Sequence, residues 1–186
     1  MFDSLRNPIK FPELSSLLKY EGGGNYAISK YYRYPYRLFY RKKLYIARSL
    51  MKKDFVYRTI LDFGSGPGIF TPELKQHAMA VKNYEPGVII DKRSRFDCIV
   101  ALSVMEFLEN LPEEIEWLRR VSTFHTQLIV VSPMKSTLSR FYFNLIGDKR
   151  VRNSSENILS AIKKHYEILE YGEWFGLYFY IKAIAK

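Results

Sequence analysis

Thr59-Ile60-Leu61-Asp62-Phe63-Gly64-Ser65-Gly66-Pro67-Gly68 is the stretch on which the rest of this chain is read. Thr59-Ile60-Leu61 is a short apolar run of the kind that ends a buried strand. Ile69 to His77 follows as a helix-like segment, with Thr71 placed to cap it, Pro72 at its first position and Glu73 in its first turn. Strand, glycine turn and helix in that order bring backbone N–H groups close to a small ligand. Gly64, Gly66 and Gly68 stand at alternate positions. Glycine is entropically costly, so this spacing needs a structural reason.

Other glycine loops match less well. A dinucleotide fold wants G-x-G-x-x-G, and the third glycine position holds Ile69. A P-loop needs Gly-Lys-Ser/Thr after its glycines, which this stretch lacks. Asp62-Phe63-Gly64 spells the metal triplet of protein kinases, but no glycine-rich nucleotide loop and no H-R-D loop accompany it.

The 186 residues suffice for one α/β domain with a sizeable core. No run of 18 apolar residues is present, so no transmembrane helix is expected. The N-terminus lacks the charged start and apolar stretch of a signal peptide. Cys98 is the single cysteine and lies in a predicted buried strand, where it reads as a small core residue rather than a nucleophile. A reducing cytoplasm is the simplest location for such a chain.

Charge is concentrated before the glycine stretch. Residues 1–60 hold 13 Lys or Arg and 4 Asp or Glu, and the remainder hold 16 and 15, which together give the net +10. A local basic excess is a statement about partners rather than fold. Anionic substrates, nucleic acid and acidic membrane surfaces are all compatible with it.

Gly22-Gly23-Gly24-Asn25 reads as a flexible break. Pro35 is suited to open a helix reaching about Lys53, with Tyr36, Tyr40, Leu44, Ala47 and Met51 at core-facing spacing. Arg41, Lys42, Arg48, Lys52 and Lys53 would stay near solvent. Two readings of this tyrosine-rich segment stand: a packed amphipathic helix, or a basic aromatic cap that recognises a substrate. Residues 1–35 are taken as this N-terminal segment and 36–186 as a single domain.

After the glycine stretch, Ala80–Tyr84 reads as a second strand ending at Glu85. Phe96-Asp97-Cys98-Ile99-Val100-Ala101-Leu102 reads as a third strand, and Gln127–Ser132 as a continuous apolar strand covered on both faces. Asn110 with Glu113 has the form of a capping box, and Asn153 with Glu156 opens a further helix to about Lys164. Ile115, Leu118 and Val121 mark the buried side of the first of these. Tyr166–Tyr171 and Leu177–Ala183 are joined by a short connection and are expected to pair antiparallel. The fold class is therefore α/β, a Rossmann-like, doubly wound, mostly parallel sheet with an antiparallel C-terminal hairpin strand.

From about residue 36 to the C-terminus this order resembles the class I S-adenosylmethionine-dependent methyltransferases. Asp62 to Gly68 resembles their first motif. Phe96 to Leu108 resembles their fourth, which in many small-molecule members reads F-D-x-V-x-x-x-x-V-L-E-H-L. The terminal hairpin is also theirs. The resemblance implies S-adenosylmethionine as cofactor. It implies that Asp62, Phe63, Gly64, Ser65, Gly66 and Gly68 line the methionine and ribose portion. Glu85, 21 residues after Gly64, would accept hydrogen bonds from a ribose diol. Ala101, Leu102 and Ser103 would meet the cofactor near its sulfonium end. No metal ligand set is expected.

Two departures from the family pattern stand out. Only Pro86 to Arg95 separate Glu85 from Phe96, where the family places a helix and a further strand. Val88-Ile89-Ile90-Asp91 reads as a remnant strand, with Asp91 in place of the acid that contacts the adenine amino group. Phe107 stands where many relatives have histidine, so no general base is available at that position.

His125, Tyr171, Glu173, Trp174 and tyrosines of the N-terminal segment are candidates near the expected mouth. His77, His125 and His165 also read as surface or packing residues. Pro133 to Arg152, with Arg140, Phe141, Tyr142, Phe143, Lys149 and Arg150, is a candidate lid. No N/D-P-P-Y/F motif and no Pro-Cys pair follows Val100, which disfavours acceptors on exocyclic base amines and on cytosine carbon. The expected acceptor is a small-molecule or lipid-like compound. The alternative is an RNA-directed methyltransferase or nucleic-acid-binding protein that uses the basic, tyrosine-rich segment.

Overall fold

The computed structural model describes residues 8–19, 24–34, 36–85, 93–139 and 152–186. The elements are α1 (Leu14–Leu18), α2 (Gly24–Tyr31), α3 (Tyr36–Leu50), β1 (Tyr57–Phe63), α4 (Thr71–Leu74), β2 (Ala78–Tyr84) and β3 (Phe96–Leu102). A 3-10 turn at Met105–Phe107 follows. The chain then forms α5 (Leu111–Arg120), β4 (Ser122–Pro133), α6 (Ser155–His165), β5 (Tyr166–Trp174) and β6 (Tyr178–Ala185).

The strands form one sheet in the order β2-β1-β3-β4-β6-β5. The first four run parallel. β6 is antiparallel to β4, and β5 is antiparallel to β6. This is the α/β, mostly parallel sheet with an antiparallel C-terminal hairpin that the sequence predicts.

Strand alternation sorts the core into two layers. Leu61, Phe63, Ile99, Ala101, Leu128 and Val130 pack on one face against Ile115 and Leu118 of α5 and Ile158 and Ile162 of α6. Ile60, Cys98, Val100, Ile129 and Val131 pack on the other face against Leu44, Ala47 and Leu50 of α3. Asp62 falls between Leu61 and Phe63 in this alternation, so its side chain belongs to the α3 face. Cys98 is fully buried there, and burial pushes its thiol above the ordinary range.

The direction of α3 follows from its ends. Gln127 Nε2 donates to the Leu50 carbonyl at 2.8 Å, and Tyr57 Oη bridges Lys52 N–H and Gln127 Oε1. These contacts fix the C-terminus of α3 at the amino ends of the strands. Its first turns therefore lie over their carboxyl ends.

Several boundaries differ from the sequence reading. α3 stops at Leu50 rather than Lys53, and Met51 is buried just beyond it. Gly24 and Asn25 belong to α2, so only residues 22 and 23 of the expected break lie outside it and outside the described residues. The helix expected over Ile69–His77 shrinks to α4, because i→i−3 bonds at Gln76 and His77 tighten the chain into a turn that enters β2. Phe70, not Thr71, occupies its N-cap position, with no side-chain cap bond. Asn110 makes no side-chain cap bond. Ser154, not Asn153, caps α6, and the Asn153 amide instead donates to the carbonyls of Met105 and Leu108 at 3.0 and 2.8 Å. The remnant strand Val88–Asp91 lies outside the described residues.

Glu73, 3% exposed, ties the N-terminal segment to this frame. Its carboxylate accepts from Lys10 N–H at 3.0 Å and Gln76 Nε2 at 3.1 Å, and pairs with Arg48 at 3.4 Å and His77 at 3.5 Å. Removing it takes away the one buried carboxylate that these part-buried groups share. Glu73→Ala is expected to lower stability by about 2–3 kcal/mol, read as a fall in the urea midpoint at unchanged slope.

Candidate active site

A cavity of about 200 Å³ opens at the carboxyl ends of β1 and β3, between the sheet and α3. Asp62, Gly64, Ser65 and Gly66 form one wall, and Leu102 and Ser103 the floor. Tyr31, Tyr40, Lys43 and Leu44 form the wall opposite, and Glu106, Phe107, Pro133 and Tyr178 close the rest. Ligands of open parallel sheets bind at this edge, because the chain turns away from each strand there.

Each glycine of the turn has its own reason. Gly64 has φ +70°, and a Cβ placed on it would lie 2.4 Å from Val104 Cγ2. It lets the turn close onto the loop after β3. Gly66 lines the cavity, with φ +51° and nothing within 4 Å of its missing Cβ. Gly68, at φ +70°, is not a cavity residue: its Cβ would meet Thr71 Oγ1 at 3.2 Å, so it serves the docking of α4.

Asp62 is 3% exposed. Burial pushes its carboxyl up to about 7, opposed by a hydrogen bond from Thr71 Oγ1 at 3.0 Å and reinforced by the nearby charge of Glu85. Thr71 thus serves the site rather than the cap of α4. Glu85, at the end of β2, accepts from Gly66 N–H and, at 3.2 Å, from Ser65 Oγ. Both bonds fall on Oε1, so one carboxylate holds the turn from outside.

Ser103 directly follows β3, with φ +54°, a strained value for a serine. Its N–H donates to the Val131 carbonyl at 2.9 Å, and its Oγ accepts from Lys43 Nζ at 2.8 Å. Lys43 is 4% exposed. The ammonium lies 5.3 Å from the ring centroids of both Tyr31 and Tyr40, so a hydroxyl and two aromatic faces offset its lost hydration. Lys30 approaches Tyr40 from elsewhere, at 5.5 Å. Lys43 went unnoticed among its neighbours Arg41 and Lys42. Its spacing carried the signal, for it stands three residues after Tyr40 and four before Ala47, on the core-facing stripe.

The remaining candidates are spread more widely. Phe63 and Ala101 send their side chains to the opposite core layer, Phe63 stacking on Tyr84 at 5.4 Å. Asp91 and the segment 140–151 lie outside the described residues. His125 is exposed at the amino end of β4, edge-on to Phe124, away from the cavity. Sequence alone placed it near the mouth because the early start of β4 at Ser122 was not visible. Tyr171, Glu173 and Trp174 sit on β5 and do not line the cavity, whereas Tyr31 and Tyr40 do. Phe107 lines it where a histidine would have stood.

Two outcomes follow from the turn. Gly64→Ala forces a side chain both into Val104 and into a left-handed backbone, and a loss of at least about 2 kcal/mol is expected in chemical denaturation. Asp62 holds its proton in the folded chain to about pH 7, well above its ordinary 3.8. Its contribution to stability is therefore full below the ordinary value and is lost as pH rises through about 7. Compared with Asp62→Asn, the wild type should lose stability between about pH 4 and pH 7, measured by urea titration at each pH.

Residues 32–172 match the family model described as a methyltransferase domain. No curated protein matches the chain in sequence. Among solved structures, N-methyltransferase NodS of Bradyrhizobium japonicum WM9 in complex with S-adenosyl-L-homocysteine superposes with a TM-score of 0.62 at 14% identity, covering 92% of this chain and 96% of that one. A protein of Pyrococcus horikoshii OT3 gives a TM-score of 0.65 at 10% identity over 87% and 99% of the two chains. An S-adenosylmethionine-dependent methyltransferase of Mesorhizobium loti gives 0.60 at 9% identity over 75% and 95%. At such identities these likenesses concern the fold, while the family match spans most of the chain. The chain belongs to the methyltransferase-domain family, as a class I S-adenosylmethionine-dependent methyltransferase.

Proposed function

We propose that the cavity binds S-adenosylmethionine along the Asp62–Gly68 turn and a small-molecule or lipid-like methyl acceptor against the α3 wall. The observation that carries this reading is Gly66: it lines the cavity and has open space where a side chain would begin, so a ligand can approach the backbone there. The other groups fit the same cofactor. The buried Asp62 carboxyl suits a cationic amino end. Glu85 Oε1 holds the turn, and its second oxygen is left for a ribose hydroxyl. Leu102 and Ser103 lie at the strand end expected for the sulfonium. Asp91 would serve the adenine, and Phe63, Gly68 and Ala101 act through backbone and packing.

When bound, the cofactor supplies an electrophilic methyl on a positively charged sulfur. The protein's task is then alignment and exclusion of water, and orientation of this kind supplies up to about 7–11 kcal/mol. Lys43 fixes Ser103 from the acceptor side through its 2.8 Å bond, joining α3 to the cofactor wall. Phe107 and the tyrosines give that side an apolar surface with few proton acceptors. An acceptor that needs no early loss of a proton fits it best.

The N-terminal segment, residues 1–35, is read as a cap of this acceptor side, and 36–186 as the methyltransferase domain. Tyr31 supplies cavity wall, Tyr32 Oη donates to the Pro12 carbonyl at 2.7 Å, and Arg41 lies 4.2 Å from the Phe11 ring centroid. Tyr31, Tyr32 and Arg41 are thus engaged within the protein, although Arg33 and Tyr34 are exposed, and the nucleic-acid alternative has no support. Among the described residues no helix is long and apolar enough to cross a membrane. A cytoplasmic home remains the simplest reading of a chain with one buried cysteine.

Calorimetry tests the cofactor assignment. Wild type should bind S-adenosylmethionine, and Gly66→Trp should fold but not bind; equal binding by both, or none by wild type, refutes it. Glu85→Ala should lose roughly 1.5–3 kcal/mol of cofactor affinity, the range for hydrogen bonds to a charged group. An unchanged affinity removes Glu85 from the ribose.

A further inference from the structure

The β5–β6 hairpin closes through a 2.9 Å bond from Leu177 N–H to the Trp174 carbonyl. Both central residues of this turn are left-handed, Phe175 at φ +48° and Gly176 at φ +64°. Such a turn favours asparagine, aspartate or glycine at its first central position. Phenylalanine is strained there. Packing does not explain it, because Phe175 is 76% exposed and its one ring contact is edge-on with Trp174 at 5.2 Å. A strained, exposed aromatic residue calls for a role outside the fold.

The tip stands at the cavity mouth. Pro133 and Tyr178, paired across β4 and β6, both line the cavity, and Ser136 Oγ donates to the Gly176 carbonyl. Leu138, two residues after Ser136, is 53% exposed. Across the mouth, Lys42 Nζ lies 5.5 Å from the Trp174 ring centroid. Leu38, one helical turn earlier on the same face of α3, is 55% exposed. Exposed Arg37 and Lys135 flank these apolar side chains. Three exposed acids, Glu167, Glu170 and Glu173, lie on β5 of the hairpin. Glu173 is the one nearest the tip, and it accepts from Tyr171 Oη at 3.2 Å.

We propose that this rim docks on a lipid bilayer carrying anionic headgroups, with Phe175 inserted at the headgroup boundary and the cavity mouth facing the surface. The proposal rests on the reading of the cavity as a methyl-transfer site and selects the lipid-like branch of its acceptor. Apolar tips ringed by cations partition into the interface of anionic membranes. Leu38 and Leu138 distinguish this partner from single-stranded nucleic acid, whose bases stack on aromatic faces that leucine lacks. A lipid acceptor would then reach the tyrosine-lined wall without crossing water.

The test is co-sedimentation of the full chain with vesicles of phosphatidylcholine alone or mixed with phosphatidylglycerol, at low and high salt. Phe175→Gly removes the ring and relieves the left-handed backbone, so the variant should keep its fold and its cofactor binding. Wild type should bind the anionic vesicles only, more weakly at high salt, and Phe175→Gly should partition on the order of fivefold less. The proposal is overturned if wild type ignores anionic vesicles, binds neutral ones equally, or binds single-stranded RNA in their place, or if Phe175→Gly binds like wild type. Vesicle binding without cofactor binding supports docking and removes the methyl-transfer reading, so the two fail separately.

Discussion

The site depends on how closely the turn after β1 approaches the loop after β3. β1 is paired on both edges and covered on both faces, so its last residue can leave only along the strand axis. The chain must then reverse within a few residues, and the space at Gly64 is taken by Val104. A left-handed, Cβ-free backbone satisfies both demands at once. Everything that lines the cavity on this side follows from that closure. The Gly66 N–H turns to Glu85, Asp62 is left beneath the turn, and Ser103 is brought up against it.

Polar burial around the cavity has a common logic. Asp62, Lys43 and Glu106 are each almost fully removed from water within one small space. Such groups are costly in a core and persist where partners or ligands meet them. Thr71 and Ser103 provide short hydroxyl contacts to the first two, and the tyrosine faces add to the second. Glu73, farther out, does comparable work by holding the N-terminal segment and α3 to the turn region. The α3 wall of the cavity is therefore attached to the glycine-turn wall through charged contacts rather than through apolar packing alone.

Some of the architecture was legible residue by residue. The phase of α3, with Tyr40, Leu44, Ala47 and Met51 inward, came from a 3.6-residue stripe that packing then used. β3 was bounded correctly because Phe96 and Cys98–Ala101 are buried apolar residues between polar flanks. Helix starts were less legible. Asn110 and Asn153 both carry the side chain of a cap, yet the Asn153 amide closes the loop after β3 and Asn110 makes no cap bond. Capping chemistry is local, and a carbonyl pair brought in from another element outcompetes it.

The sequence by itself determined the mostly parallel sheet with its antiparallel C-terminal hairpin, the glycine turn and the family. These depend on period, spacing and the left-handed backbone that glycine alone adopts freely, all of which are local properties. Only the tertiary structure decided that Lys43 enters the cavity while Lys42 meets Trp174, that His125 lies at the far end of the sheet, and that Phe175 stands at the mouth. Each of these depends on where one element ends relative to another. That relation is set by long-range packing, and neighbouring residues in the chain do not encode it.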